Sequence, residues 1–146
     1  MSMYKRILVP TDGSEITAKA VETAVTMARA FGATLLTLAV KEPFPYSAIT
    51  EMQPIPPQEF FDAQERIAVK HLDQVKAACA AAGVECLAAA VEAAHPWESI
   101  IDFGKDQGAD LIVMASHGRR GVAALLLGSE TQKVLTHSTI PVLVYR

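Results

Sequence analysis

The stretch Tyr4-Lys5-Arg6-Ile7-Leu8-Val9-Pro10-Thr11-Asp12-Gly13-Ser14 decides the fold. Ile7-Leu8-Val9 is a short unbroken apolar run, the mark of a strand covered on both faces. Asp12-Gly13-Ser14 turns the chain, and Ser14 suits the N-cap of a helix whose first turn gains Glu15. Ala18, Val21, Val25 and Ala28 follow at helical spacing, and Gly32 supplies a C-terminal stop. Strand, turn and amphipathic helix make the first part of a βαβ unit.

The rest of the chain repeats that order. Residues 35–40 read as a second strand. Residues 41–57 carry five prolines and little periodicity, so they read as a long loop of the kind that is often functional. A helix over 58–82 places Phe61, Ala68, Leu72, Val75, Cys79 and Ala82 on one face before Gly83. Residues 84–92 read as a third strand. Pro96 opens a helix with Trp97, Ile100 and Ile101 on its inner side, and it stops before Gly108. Residues 110–115 hold the fourth strand, Leu111-Ile112-Val113-Met114. A glycine-bearing segment over 116–128 leads into a short helix over 129–137, and Pro141 precedes the last strand, Val142–Tyr145.

Five strands and four helices in alternation demand a single α/β domain over 1–146. Its sheet is doubly wound and mostly parallel, Rossmann-like, with helices on both faces and right-handed crossovers. Apolar residues at 51% and charged residues at 20% suit a packed globular core. The net charge of −3 argues against nucleic acid, and no face is obviously polybasic, the nearest thing being the local pair Arg119 and Arg120. No apolar run reaches the roughly 18–20 residues of a membrane span, and the first residues lack a signal-peptide core. The expectation is a cytoplasmic protein. Cys79 and Cys86 read as two core thiols, with a structural disulfide as the alternative.

In a doubly wound sheet, ligands bind beyond the carboxyl ends of the strands where the winding reverses. Two post-strand loops carry polar chemistry there. The first is Pro10 to Ser14. In it Asp12 could hold a ribose hydroxyl or a metal, or else cap the first helix. The second runs from Ala115 and His117 through Gly118 and Arg119 to Gly128, Ser129, Glu130 and Thr131. Its glycines let main-chain N–H groups approach an anion, and Ser129 and Thr131 open a helix whose first amides favour phosphate. Arg119 or Arg120 could add charge-assisted bonds. The alternative is a capping box, Ser129 to Gln132, with ordinary turn glycines. Glu130 would repel phosphates unless it points away or shares a cation.

Other chemistries lack their signatures. There is no G-x-x-x-x-G-K-[ST] loop, and no G-x-G-x-x-G follows the first strand. Ser116 and His117 lack a G-x-S-x-G elbow. His71, His95, His117 and His137 have no metal-ligand spacing.

These residues carry a family resemblance. Residues 4–14, the run Ala109-Asp110-Leu111-Ile112-Val113-Met114-Ala115-Ser116-His117-Gly118, the pair Gly128-Ser129 and the ending Pro141-Val142-Leu143-Val144 together resemble universal stress proteins along essentially the whole chain. The fold this implies is like that of the adenine nucleotide alpha hydrolases. The ATP-binding branch carries G-x-x-G-x(9)-G-[ST], which falls here on Ala115, Gly118, Gly128 and Ser129. Alanine stands at the first glycine, and it keeps the site only with a negative φ.

The resemblance implies bound ATP, with magnesium or manganese, used as a regulatory ligand. Pro10, Thr11 and Asp12 would line the adenosine end, with Asp12 near the ribose or a metal held through the ATP. Val40 would contact adenine through its backbone, and Met114 and Ala115 would flank the ribose. His117, Gly118, Arg119, Gly128, Ser129, Glu130 and Thr131 would surround the phosphates. A homodimer paired through Val142–Tyr145 is also implied, since that apolar strand is otherwise an exposed edge. So is an unidentified protein partner. With only Asp12 or His117 as a general base, the expected protein is a binder rather than an enzyme, a slow ATPase at most. Two alternatives stay open: an interaction protein whose pocket is vestigial, marked by Ala115 and Glu130, and an ATP-cleaving enzyme on the same fold with a substrate pocket under residues 41–57.

Overall fold

Five strands and four helices alternate among the residues described by this computed structural model, which are 3–45, 58–118 and 127–146. In chain order they are β1 (Arg6–Thr11), α1 (Glu15–Phe31), β2 (Thr34–Lys41), α2 (Gln58–Ala82), β3 (Cys86–Glu92), α3 (Pro96–Asp106), β4 (Leu111–Ala115), α4 (Ser129–His137) and β5 (Val142–Tyr145). Most of the expected proline loop and the segment with Arg119, Arg120 and Gly121 lie outside the described residues.

All strand pairings are parallel and the order is β3-β2-β1-β4-β5. The winding therefore reverses between β1 and β4. Alternate residues of β1 serve opposite faces, as the two-residue strand period requires. Ile7 and Val9 join Val113, Ala115 and the inner sides of α1 and α2. Leu8 joins Ile112, Met114, Ile100 of α3 and Val134 of α4. Ala20, Ala24 and Ala28 are fully buried four residues apart, so small side chains let α1 sit close on the centre of the sheet.

Local chemistry explains where the elements begin and end. Ser14 caps α1, its Oγ accepting the Thr17 N–H at 3.3 Å. Gly32 ends that helix in the left-handed region, φ 66°. The third strand starts two residues later than its apolar pattern suggests, because the Val84 N–H is donated back to Cys79 O at 2.9 Å and finishes α2 first. Phe61 is half-buried, packing with Phe44 and Phe60 rather than under the sheet. Cys79 and Cys86 are free thiols. At the amino end of the sheet, the Asp110 carboxylate accepts the Lys5 and Arg6 N–H groups at 2.8 and 3.1 Å, fixing β1 opposite the candidate site.

Candidate functional site at the carboxyl ends of β1 and β4

Where β1 ends, Thr11 is buried and Asp12 begins a tight turn. One carboxylate oxygen of Asp12, Oδ1, accepts the Ser14 N–H at 2.9 Å, an Asx turn that presents Ser14 to the helix. Asp12 thus supports the helix cap indirectly while Ser14 provides it. The other oxygen, Oδ2, lies against Gly118 so closely that a Cβ built there would overlap it. Gly118 does not have a left-handed backbone. Its lack of a side chain serves the approach of the two loops, not an unusual φ.

Where β4 ends, Ser116 ties three elements together. Its N–H donates to Tyr145 O at 2.7 Å, and its carbonyl accepts the Gly128 N–H at 2.6 Å. Ser116 Oγ lies 3.2 Å from His117 Nδ1. A Cβ on Gly128 would stand 3.2 Å from His117 Cα and 3.3 Å from its Cβ, closer than most packing contacts. Gly118 and Gly128 are both places where the protein's own loops approach closely. No local sequence signal marks Ser116, because its partners come from β5 and α4.

Gly128, not Ser129, is the N-cap of α4, with φ −69° and ψ 158°. The alternative reading, a capping box from Ser129 to Gln132, does not form. The Gln132 N–H donates to Gly128 O at 3.0 Å, and the Gln132 side chain donates to Leu127 O at 2.9 Å. The N–H groups of Ser129, Glu130 and Thr131 precede the first intrahelical acceptor, so the helix itself cannot satisfy them. Ser129 is exposed. Thr131 is buried, and its hydroxyl donates to Ala115 O at 2.8 Å, hanging the helix from the end of β4. Glu130 turns away, its Oε2 accepting the Trp97 N–H at 2.9 Å in the first turn of α3. Glu130 and Thr131 can therefore meet a ligand only through main-chain N–H groups.

The remaining expected residues that are described lie in the carboxyl-terminal halves of β1, β2 and β4. Pro10 and Thr11 pair with Leu38 and Ala39 of β2, and Val40 sits near the end of that strand. The Met114 side chain belongs to the α3–α4 side of the sheet, and the Ala115 methyl to the α1 side. Ala115 has no positive φ, so alanine is accommodated there without strain. Arg119 lies outside the described residues. Among the described residues no group of three or more His, Cys, Asp or Glu could hold a metal. No helix among them is long and apolar enough to cross a membrane.

A fully parallel sheet whose winding reverses between β1 and β4 defines a doubly wound α/β domain. The universal stress protein family model matches residues 3–146, and the chain belongs to that family. It is 34% identical over 146 residues to a universal stress protein of Thermus aquaticus encoded in the QAH/OAS sulfhydrylase 3′ region, covering 99% of this chain and all of that one. Its fold matches the solved structure of MJ0577, a universal stress protein of Methanocaldococcus jannaschii, with TM-score 0.83 at 29% identity over 98% of this chain and 96% of that one. It also matches a universal stress protein solved in complex with cAMP, with TM-score 0.75 at 24% identity over 99% of both chains.

Proposed function

We propose that this chain binds ATP at the β1–β4 switch point and uses it as a regulatory ligand in a stress response. The observation that carries the reading is the mouth of α4. Three successive main-chain N–H groups lack an intrahelical acceptor there, and the neighbouring carboxylate of Glu130 is bonded elsewhere. The fit is favourable on two further counts. Glycines at 118 and 128 let the loops around the mouth come together where a Cβ would meet Asp12 or His117, and the Ala115 methyl is packed into the core instead of standing in the approach. The structure with cAMP, at its low identity, argues only that this fold accommodates an adenine nucleotide.

In this reading the triphosphate lies on the N–H groups of Ser129, Glu130 and Thr131, with Gly118, His117 and Gly128 forming the wall. Arg119 adds a cation. Asp12 stands near the ribose, or beside a magnesium or manganese ion carried by the phosphates, which supplies counter-charge. Val40 offers main-chain groups to adenine, while Pro10, Thr11, Met114 and Ala115 frame the nucleoside. The role proposed for the protein is binding and signalling in the cytoplasm, toward a protein partner, and not efficient turnover. The half-buried edge strand β5 would pair with a second copy of the chain.

Equilibrium binding of labelled ATP with magnesium tests the site, using the wild type and Gly128→Asp. The substitution would press a carboxylate onto His117 and into the phosphate position, so binding should fall at least tenfold. Equal binding by both folded proteins refutes the placement.

A further inference from the structure

The Glu130 carboxylate does more than leave the phosphate position clear. The first turn of α3 has poor capping of its own, since its N-cap residue His95 makes no side-chain cap bond. Glu130 supplies the missing acceptor from another helix, a charge-assisted bond at the positive end of α3. The Trp97 ring is then held from the same side. It stacks on His137 with centroids 4.7 Å apart and planes 26° apart, and Lys133 Nζ stands 5.9 Å from its centroid. Glu130, Lys133 and His137 are spaced three and four residues apart, so they share one face of α4. That face grips Trp97 along the length of the helix.

The start of α4 is meanwhile fixed to the end of β4 by the Thr131 hydroxyl and by the Gly128 N–H. An anion arriving at the mouth of α4 therefore acts on a helix that carries Trp97 with it. It also places negative charge within the same turn as the Glu130 carboxylate. Repulsion then favours the rotamer in which that carboxylate faces α3, and the bond to the Trp97 N–H is strengthened.

We infer that Glu130 is a positioning residue that couples phosphate occupancy at the start of α4 to the order of Trp97 and the first turn of α3. The outward groups of that turn, His95 and Glu98, are exposed, so the turn presents a surface whose rigidity follows the ligand. This inference rests on the nucleotide reading above and adds the route by which binding is read out. Such coupling is reciprocal: a change that loosens Trp97 more in the free than in the occupied protein alters the affinity for the phosphate ligand by that difference.

Trp97 is the sole tryptophan, so its fluorescence reports this turn without ambiguity. The test titrates magnesium-ATP into wild type, Glu130→Gln and His137→Ala, recording heat and Trp97 emission on the same samples, with thermal melts to confirm folding. In the wild type, emission should change saturably with the midpoint given by the heat. At ATP levels that saturate each protein by calorimetry, Glu130→Gln should lose at least half of the emission change. His137→Ala, altered at the far end of α4, should shift ATP affinity at least threefold. Heat without an emission change in the wild type overturns the coupling alone, as does a full emission change in Glu130→Gln or an unaltered affinity in folded His137→Ala. Absence of heat in the wild type overturns the nucleotide reading and this inference with it.

Discussion

The Asp12 carboxylate occupies the space beside Gly118 that any side chain at that position would need. The same carboxylate accepts the Ser14 N–H, so the β1 turn and the β4 turn meet at one group. Gly118→Ala should drive Asp12 Oδ2 outward and disturb both turns. Because Gly118 needs no left-handed φ and the obstructing atom ends a side chain, the cost in folding is expected to stay below about 1 kcal/mol, under the usual overpacking range. ATP affinity should drop about tenfold. Calorimetric titration beside urea unfolding separates the two quantities, and an unchanged affinity would detach Asp12 from the ligand.

The buried Thr131 hydroxyl gives a prediction about stability rather than affinity. Thr131→Val keeps the shape but leaves Ala115 O without its donor inside the protein. A buried acceptor stripped of its partner costs about 1–3 kcal/mol. Thr131→Ser retains the hydroxyl and should recover most of that loss. Urea midpoints for the two variants decide it: a larger loss in Thr131→Ser than in Thr131→Val would mean that the methyl, not the hydrogen bond, matters.

Those two residues mark what was legible in the sequence. The strand and helix order could be read because each apolar run and each glycine or serine stop is a local signal, and Ser14 caps α1 as its position suggests. The switch-point loops followed from that order alone. What could not be read is where side chains point once elements meet. Ser129 opens a plausible capping box, yet Gly128 takes the cap because its N–H is drawn to Ser116 O. Glu130 stood as an obstacle to phosphate until its partner on α3, thirty-three residues earlier, became visible. The hubs Ser116 and Asp110 have the same character: their bonds join strands or helices distant in the chain.

Gly13 combines two constraints, and they can be separated. Its φ is +75°, and a Cβ built on it would run into the His71 imidazole from α2. Gly13→Ala should therefore destabilise by about 2–5 kcal/mol, adding left-handed strain to a steric clash. In a His71→Ala background the clash is gone, and the added cost should shrink to about 1–2 kcal/mol. A double-mutant cycle in denaturant measures the difference. Additive losses would place the ring elsewhere in solution.

The Cys79 thiol yields a prediction in pH. Burial, reinforced by the neighbouring Cys86, pushes it from an ordinary value of 9.0 up to about 12. Cys86 is also raised, chiefly by burial, although Cys79 and Lys76 oppose the shift. A thiol held neutral in the fold stabilises fully below the unfolded value. As pH climbs past 9 the unfolded chain ionises first, so the native state holds the extra proton and stability falls until the folded value is reached. Cys79 alone should remove about 1 kcal/mol by about pH 10. Cys79→Ala lowers stability at neutral pH through lost packing, but its decline between about pH 8 and pH 10 should be shallower than that of the wild type by the same amount. Parallel curves would mean that the folded Cys79 titrates like a thiol in water.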